Sequence, residues 1–254
     1  MRISDFLYRF YEFVLWPQIK NGPRPRHIGL IVDGNRRFAR KHGQKSEYGH
    51  NAGLEKIEDF LRWCWRLEIK VITLFAFSTE NFNRSDEEVD YLMNLILNKL
   101  RYYGDDPLVS KEKVRIRVIG RKESLSDELN AEISRTEELT RHNDRFLLNI
   151  AIGYGGRAEI IDTVKTLANR VKEGSLSPED INEEVFAKNL YTSGIPDPDL
   201  IIRTSGEERL SGFLLWQSAY SELYFTEVYW PAFRMIDFWR AIRIYQQRDR
   251  RYGK

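Results

Sequence analysis

Only one cysteine, Cys64, occurs in the 254 residues. It can form no internal disulfide and no cysteine metal site, which fits a reducing cytoplasm. Histidine is nearly as sparse. His27, His42, His50 and His142 are scattered, with no H-E-x-x-H pair and no Cys/His ligand spacing. No apolar run approaches the roughly 20 residues that a membrane span requires. No cleavable leader is expected either, because charged and apolar residues alternate from the start. Excess charge of one sign is also missing: 40 Lys and Arg face 38 Asp and Glu, a net +2. No global field therefore points to nucleic acid or an anionic surface as main partner. Neither a G-x-x-x-x-G-K-S/T phosphate loop nor a G-x-G-x-x-G fingerprint is present.

What is there suits one soluble domain with a full core, at 42% hydrophobic and 31% charged residues. Ile3, Phe6, Leu7, Phe10, Phe13 and Val14 follow helical spacing and make an aromatic-rich face, with Arg2, Asp5, Arg9 and Glu12 outside it. "WPQIKNGPRPRH" then breaks the helix with three prolines and a glycine. Residues 1–20 are thus expected to be an appended amphipathic helix, and 21–254 a single domain. The helix either packs on that domain or lies on a membrane surface through residues 3–16.

Beyond residue 26, short apolar runs alternate with helical periods. "HIGLIV", "VITLFAF", "VRIRVIG", "FLLNIAI" and "DLIIRT" are continuous apolar runs, the pattern of parallel strands buried on both faces. Between them, residues 54–67, the segment after Ser85 and residues 157–172 carry helical stripes. In the second, Ser85 with Glu88 reads as a capping box before Val89, Leu92, Met93, Ile96, Leu100 and Tyr103. In the third the stripe is Ile160, Val164, Leu167 and Val171. The expected class is α/β, with a mainly parallel central sheet wrapped by helices.

Ligands of such sheets bind beyond the carboxyl ends of the strands. The first strand is followed by "DGNRRFARKHG" and the second by "STENFNR". The fourth is followed by "GYGGR" and the fifth by "RTSGEERLS". Arginine forks match phosphate oxygens two at a time, and a helix start adds free N–H groups. Asp33 among these cations would repel a phosphate but would suit a Mg²⁺ ion bridging carboxylate and diphosphate. The alternative is a turn followed by a solvated basic helix. Arg203, Arg209 and Ser211 offer a second anion site, and Glu222 a second carboxylate for the metal. Against these stand a surface acid at Glu222 and a salt bridge from Arg209 to Glu207 or Glu208.

"HIGLIVDGNRRFARKHG", "GHNAG", "LFAFSTENFNR", "NIAIGYGGR" and "DLIIRTSGEERLSGFLLWQSAYSELYFTEVYWP" together resemble the successive signature regions of the cis-prenyltransferases. That family includes undecaprenyl and dehydrodolichyl diphosphate synthases, and the likeness covers roughly residues 27 to 253. The resemblance implies a homodimer or related heterodimer, a hydrophobic tunnel, and Mg²⁺-dependent condensation of isopentenyl diphosphate with an allylic diphosphate. It assigns Asp33 to the metal with Glu222, and Gly34, Asn35, Arg36, Arg37, Phe38 and His50 to the allylic diphosphate. Ser78, Phe82 and Arg84 join that set, and Asn81 stands with Ser78 beside the reacting carbons. Arg203, Arg209 and Ser211 would hold isopentenyl diphosphate, with Arg251 and Gly253 reaching across a dimer. The proton lost in condensation would leave to a diphosphate oxygen or through Asn81.

Two positions depart from the family pattern. Arg36 stands where bacterial members usually have glycine, a lean toward archaeal or eukaryotic relatives. Ser46 stands where many relatives carry an arginine, so either Lys45 or Arg36 takes its place or the allylic substrate is held differently. The competing readings are a non-catalytic partner subunit of the same fold and a phosphate-binding α/β protein without tunnel chemistry. The first is disfavoured by the presence of Asp33, Asn35 and Arg37.

Overall fold

A computed structural model describes residues 3–248, with the side chains of residues 3–7, 9 and 10 outside that description. In chain order the elements are α1 (Ile3–Ile19), β1 (His27–Ile31), α2 (Asn35–Lys41), α3 (Ser46–Arg66) and β2 (Val71–Ser78). Next come α4 (Asp86–Asp105), α5 (Pro107–Lys111), β3 (Val114–Ile119), α6 (Asp127–Thr140) and β4 (Phe146–Tyr154). The chain continues with α7 (Gly156–Lys172), α8 (Glu183–Ala187), β5 (Leu200–Arg203), β6 (Glu222–Phe225) and α9 (Met235–Gln247).

Two compact units share these elements. One comprises the chain up to Ile72, Pro198–Arg209 and the chain from Tyr220 onward; the other comprises Thr73–Asp197 and Leu210–Ala219. In the first, β1, β5 and β6 lie side by side in that order, all parallel. Ile31 is in register with Arg203, and Arg203 with Phe225, so the β1 and β5 ends come level. All five residues of β1 are buried, the burial that a continuous apolar run predicts. An aromatic cluster fills the space between α3, α9 and residues 230–233. Phe60 lies 4.9 Å from Phe238 and 5.8 Å from Trp230, ring centre to ring centre. In the second unit β4 lies between β3 and β2, and β3 pairs parallel with β4 along its length. The α/β class and the parallel pairing expected from the apolar runs hold in both units.

Four local expectations are corrected. First, α1 continues through Pro17 instead of stopping at it. Proline costs the interior of a helix a hydrogen bond. Packing offsets this, because Leu15 and Ile19 are buried and Trp16 sits 5.4 Å from Trp239 of α9 and under the Arg66 guanidinium. The face of α1 that stays in solvent holds Phe13, 75% exposed, and Val14; the other residues of the expected apolar face have side chains outside the description. Second, Ser85 caps α4 without a side-chain bond, since Glu88 is drawn to Arg84 at 2.8 Å. Third, α7 turns a different face inward. Glu159, Thr163 and Leu167 are buried while Ile161 and Val164 are exposed. Fourth, β6 is an additional strand of only four half-buried residues inside an aromatic-rich segment, where neither alternation nor a continuous buried run marks it.

Candidate active site

In the first unit, β1 and β5 deliver Asp33 and Arg203 to the same end of the sheet. The chain turns after β1 at Gly34, whose φ of 104° is left-handed and opens α2. A methyl group there would lie 2.9 Å from the Tyr229 ring and 3.0 Å from Ser205 Cβ, so glycine is required on both backbone and steric grounds. The backbone of Asp33 is fixed from two sides. Thr204 Oγ1 accepts from Asp33 N–H at 3.0 Å and donates to Asp33 O at 2.7 Å, while Trp230 N–H donates to Asp33 O at 3.0 Å. Trp230 in turn donates its indole N–H to Gly53 O of α3 at 2.7 Å.

From that frame the side chains close a ring of alternating charge. Arg203 Nη2 donates to Asp33 Oδ2 at 2.9 Å and Arg37 Nη2 to Asp33 Oδ1 at 3.3 Å. The other arm of Arg37 donates to Glu207 Oε1 at 2.9 Å, and Arg209 Nη1 to Glu207 Oε2 at 2.5 Å. Arg203 Nη1 completes the circuit by donating to the Arg209 carbonyl. The Arg203 side chain is 5% exposed; those of Asp33 and Glu207 are about a third open to solvent, at 30% and 27%. Hydrogen bonds from Arg209 and then Arg37 hold the Glu207 carboxyl below the usual carboxylate range. Burial works against the Arg37 guanidinium, but Asp33 and Glu207 outweigh it and its pKa ends raised.

The remaining expected residues fall around this ring or elsewhere in the fold. Asn35 is half-buried against α3: a methyl at Gly53 would meet its Oδ1 at 2.5 Å, and one at Gly49 its carbonyl oxygen at 2.0 Å. Those two glycines let α2 lie close on α3. His50, beside Gly49, is buried, whereas Arg36 is exposed. Phe38 is half-buried and stacks on Tyr48, with His42 4.3 Å away. In the second unit Ser78 N–H donates to Asn81 Oδ1 at 3.0 Å, Phe82 meets Phe77 edge-on, and Arg84 pairs with Glu88. Ser211 is exposed in that unit, with a left-handed φ of 49°. Glu222 is not brought to Asp33 within the protomer. It opens β6 in register with Leu200, at the far end of the strands from Arg203, and its carboxylate pairs with Arg248. Arg251 and Gly253 lie outside the described residues.

Glu207 is the residue whose importance the sequence understates. It is one acid of "GEER", read there only as a salt-bridge partner for Arg209; the fold makes it bridge Arg209 to Arg37 as well. Thr204 and Trp230, which clamp Asp33, carry no signal in composition or spacing.

Comparison with known proteins finds relatives along the whole chain. A profile described as "Putative undecaprenyl diphosphate synthase" matches residues 31–253. The chain is 50% identical to the tritrans,polycis-undecaprenyl-diphosphate synthase (geranylgeranyl-diphosphate specific) of Thermoplasma acidophilum, covering 100% of this chain and 98% of that protein. It is 51% identical to a protein of the same name from Methanocaldococcus jannaschii, over 99% of this chain and 94% of the relative. Among solved structures, lavandulyl diphosphate synthase from Lavandula x intermedia, in complex with dimethylallyl diphosphate, superposes with a TM-score of 0.87 at 36% identity. That superposition covers 91% of this chain and 99% of the other. A signature strand end occupied by Asp33, an arginine-rich loop after β5 and half identity across whole relatives place the chain in the undecaprenyl diphosphate synthase family of cis-prenyltransferases, as a prenyltransferase.

Proposed function

We propose that this chain condenses isopentenyl diphosphate onto an allylic diphosphate, with Mg²⁺, to extend a polyprenyl diphosphate through cis double bonds. The observation that carries the proposal is the Arg203–Asp33–Arg37–Glu207–Arg209 ring at the end of parallel strands. Guanidinium forks bind phosphate oxygens in pairs, and an arriving diphosphate can take the places that Asp33 and Glu207 occupy. Arg37, with Gly34, Asn35, Arg36, Phe38 and His50 around it, takes the allylic diphosphate. Arg203, Arg209 and Ser211 take isopentenyl diphosphate. By the same family likeness Ser78, Phe82 and Arg84 join the allylic set, Asn81 stands with Ser78 beside the reacting carbons, and Arg251 and Gly253 belong to a partner's site in a homodimer. The names of the archaeal relatives support geranylgeranyl diphosphate as primer and an undecaprenyl product.

A partly open carboxylate among arginines fits a cation that takes most of its ligands from a diphosphate, since Mg²⁺ is commonly bound through one or two carboxylates plus substrate phosphates. Asp33 would hold it at this ring; Glu222, at the other end of β6, is the second candidate carboxylate. When bound, the ion neutralises charge on the diphosphate. The chain's own residues do the rest. Scission of the allylic carbon–oxygen bond leaves negative charge on the departing diphosphate, where Arg37 is already fixed by Asp33 and Glu207. One preorganised donor of this kind is typically worth ~3–4 kcal/mol, or ~10²–10³ in rate. The isopentenyl alkene attacks the freed carbon, and a proton leaves to a diphosphate oxygen. Ser78 N–H donates to the Asn81 amide oxygen and so orients that side chain, the alternative route for the proton. Half-buried Val89, Leu92, Met93 and Ile96 on α4 support a tunnel wall, where each added isoprene unit gains several times ~0.8 kcal/mol per methylene-sized group. The exposed Phe13 and Val14 of α1 support contact with the cytoplasmic membrane face, from which the lipid product would leave.

The test is incorporation of labelled isopentenyl diphosphate onto geranylgeranyl or farnesyl diphosphate, with and without Mg²⁺. Metal-dependent elongation that Asp33→Ala loses is the expected result. No incorporation with any allylic primer would overturn the proposal and favour a non-catalytic partner subunit.

A further inference from the structure

Ser205, in the loop after β5, combines two unfavourable features. Its φ of 84° lies in the left-handed region, which side chains other than glycine rarely adopt. The residue is 5% exposed, and its Oγ is buried with no hydrogen-bond partner among the described residues. Left-handed non-glycine residues gather at ligand clamps and active sites, where their surroundings over-determine them. A buried hydroxyl without a partner carries a desolvation cost that a methyl group would not. Both features are explained if the hydroxyl acquires its partner only in the working protein.

The backbone fixes where that hydroxyl points. Ser205 N–H donates to Val228 O at 2.9 Å, Gly206 N–H to Thr226 O at 2.8 Å, and Thr226 N–H to Arg203 O at 3.0 Å. Thr204, one residue earlier, clamps the Asp33 backbone. So held, the Ser205 side chain faces the turn after β1. A methyl group at Gly34 would lie 3.0 Å from Ser205 Cβ and 3.2 Å from its Oγ. The nearby carboxylates are already engaged, Asp33 by Arg203 and Arg37, and Glu207 by Arg37 and Arg209. An O–H donor without an acceptor therefore stands against the glycine at which α2 opens, two residues along the chain from Arg203.

We infer that Ser205 is a further binding residue for the allylic diphosphate: its hydroxyl donates to a phosphate oxygen seated at Gly34, from the loop that also carries Arg203 and Arg209. This rests on the assignment of the Gly34 turn to the allylic diphosphate. Negative charge grows on that diphosphate as the allylic carbon–oxygen bond breaks, so the hydrogen bond strengthens toward the transition state and acts on turnover as well as on binding. The free protein bears the strain and the unsatisfied hydroxyl, and substrate supplies the missing acceptor. Removing the hydroxyl should therefore move stability and function in opposite directions, which a purely structural role does not allow.

The experiment compares wild type, Ser205→Ala and Ser205→Gly. Thermal melts are recorded on the free protein, geranylgeranyl diphosphate is titrated by calorimetry, and steady-state constants are measured for both substrates. Ser205→Ala removes the hydroxyl alone. Ser205→Gly also relieves the left-handed backbone, and serves if the first variant fails to fold. Both variants should melt at or above the wild-type temperature. The dissociation constant for geranylgeranyl diphosphate should rise about tenfold, the loss expected of one hydrogen bond to a charged group, and kcat should fall, while the isopentenyl KM moves less than about twofold. Binding by both variants within about twofold of wild type would overturn the role of Ser205 and leave the reading of the site standing. A fall in melting temperature that accompanies the loss of binding in both variants would reduce Ser205 to a structural residue. A loss confined to isopentenyl diphosphate would give its hydroxyl to the other substrate; either result overturns the inference. A wild type that binds no geranylgeranyl diphosphate sinks the allylic reading itself, and with it the partner assigned to Ser205.

Discussion

Asp33→Ala tests both the chemistry of the ring and its contribution to the fold. Asp33 accepts from Arg203 at 2.9 Å and from Arg37 at 3.3 Å. Truncation leaves Arg37 its bond to Glu207, and Arg203 its bond to the Arg209 carbonyl, but Arg203 loses its carboxylate in a setting where its side chain is 5% exposed. Breaking a fully buried ion pair costs about 3–5 kcal/mol. Asp33 is 30% exposed, so water can enter the vacated space, and screening brings the expected cost to about 2 kcal/mol. For a chain of this length that is a fall in Tm of about 4–8 °C. Thermal melts followed at 222 nm measure it, and raising the salt should change it little, because the Arg203 side is shielded. Activity should fall by at least ~10²-fold in labelled isopentenyl diphosphate incorporation. Asp33→Asn keeps one acceptor and should recover about half the stability with no recovery of turnover. A variant Asp33→Ala that melts with wild type and elongates within about threefold of it would refute the ring as both a structural and a catalytic unit.

Gly34→Ala combines a left-handed backbone with a methyl 2.9 Å from Tyr229. It should lower stability by about 1–2 kcal/mol from the backbone alone and weaken allylic diphosphate binding, read by melts and by the allylic KM. Glu207, held low by Arg209 and Arg37, contributes stability above the ordinary carboxylate value of about 4.3, and that contribution is lost as pH falls through its depressed folded value. Glu207→Gln should flatten that acidic limb in melts recorded between about pH 2 and pH 5. Glu159 has the opposite sign. Burial raises its folded value, so stability falls as pH rises from about 4.3 through that value, and Glu159→Gln should remove the slope. Phe13→Glu, at a side chain 75% exposed, should leave Tm unchanged and abolish co-sedimentation with anionic vesicles; sedimentation equal to wild type would rule out α1 as a membrane contact.

Much of the fold was legible because buried parallel strands announce themselves. His27–Ile31 and Val71–Ser78 are nearly uninterrupted apolar runs, and the structure buries almost every residue of both. The rim position of Asp33, Arg37, Arg203 and Arg209 follows once the strands are parallel. What was not legible depends on contacts distant in sequence. A stripe of Ile160, Val164 and Leu167 reads as the inner face of α7, yet of these only Leu167 is fully buried, and Glu159 and Thr163 are buried with it, because Tyr154, Tyr191, Thr192 and Gln217 meet the carboxylate there and the Asn189 carbonyl meets the hydroxyl. Apart from Tyr154, those partners lie 26 or more residues away. The capping box at Ser85 failed for a local reason, since Glu88 had a stronger option in Arg84 four residues back. Glu222 reads as a second metal carboxylate from its residue type and from the family likeness. The register of β5 with β6 puts it three residues, about 10 Å, from the level of Arg203.

On the proposed function, the carboxylates inside the arginine ring give a divalent cation a part in binding the diphosphate. Three guanidinium groups and two carboxylates give the ring a formal charge of 3 − 2 = +1. Without the two acids it would carry +3 and bind any diphosphate tightly, product included. With them, a diphosphate arriving alone must displace Asp33 and Glu207 from their arginines and then face two uncompensated carboxylates. A cation held by Asp33 together with the diphosphate would remove that repulsion and leave the arginines free to turn to the substrate. On that reading the ring would tie affinity to the metal-bound form of the substrate. It predicts that removing an acid raises metal-free affinity: Glu207→Gln should bind inorganic diphosphate in EDTA more tightly than wild type, by calorimetry, while gaining less from added Mg²⁺. Weaker metal-free binding by Glu207→Gln would mean that the acid's main service is to hold Arg37 and Arg209 in place, with no part in selecting the metal complex.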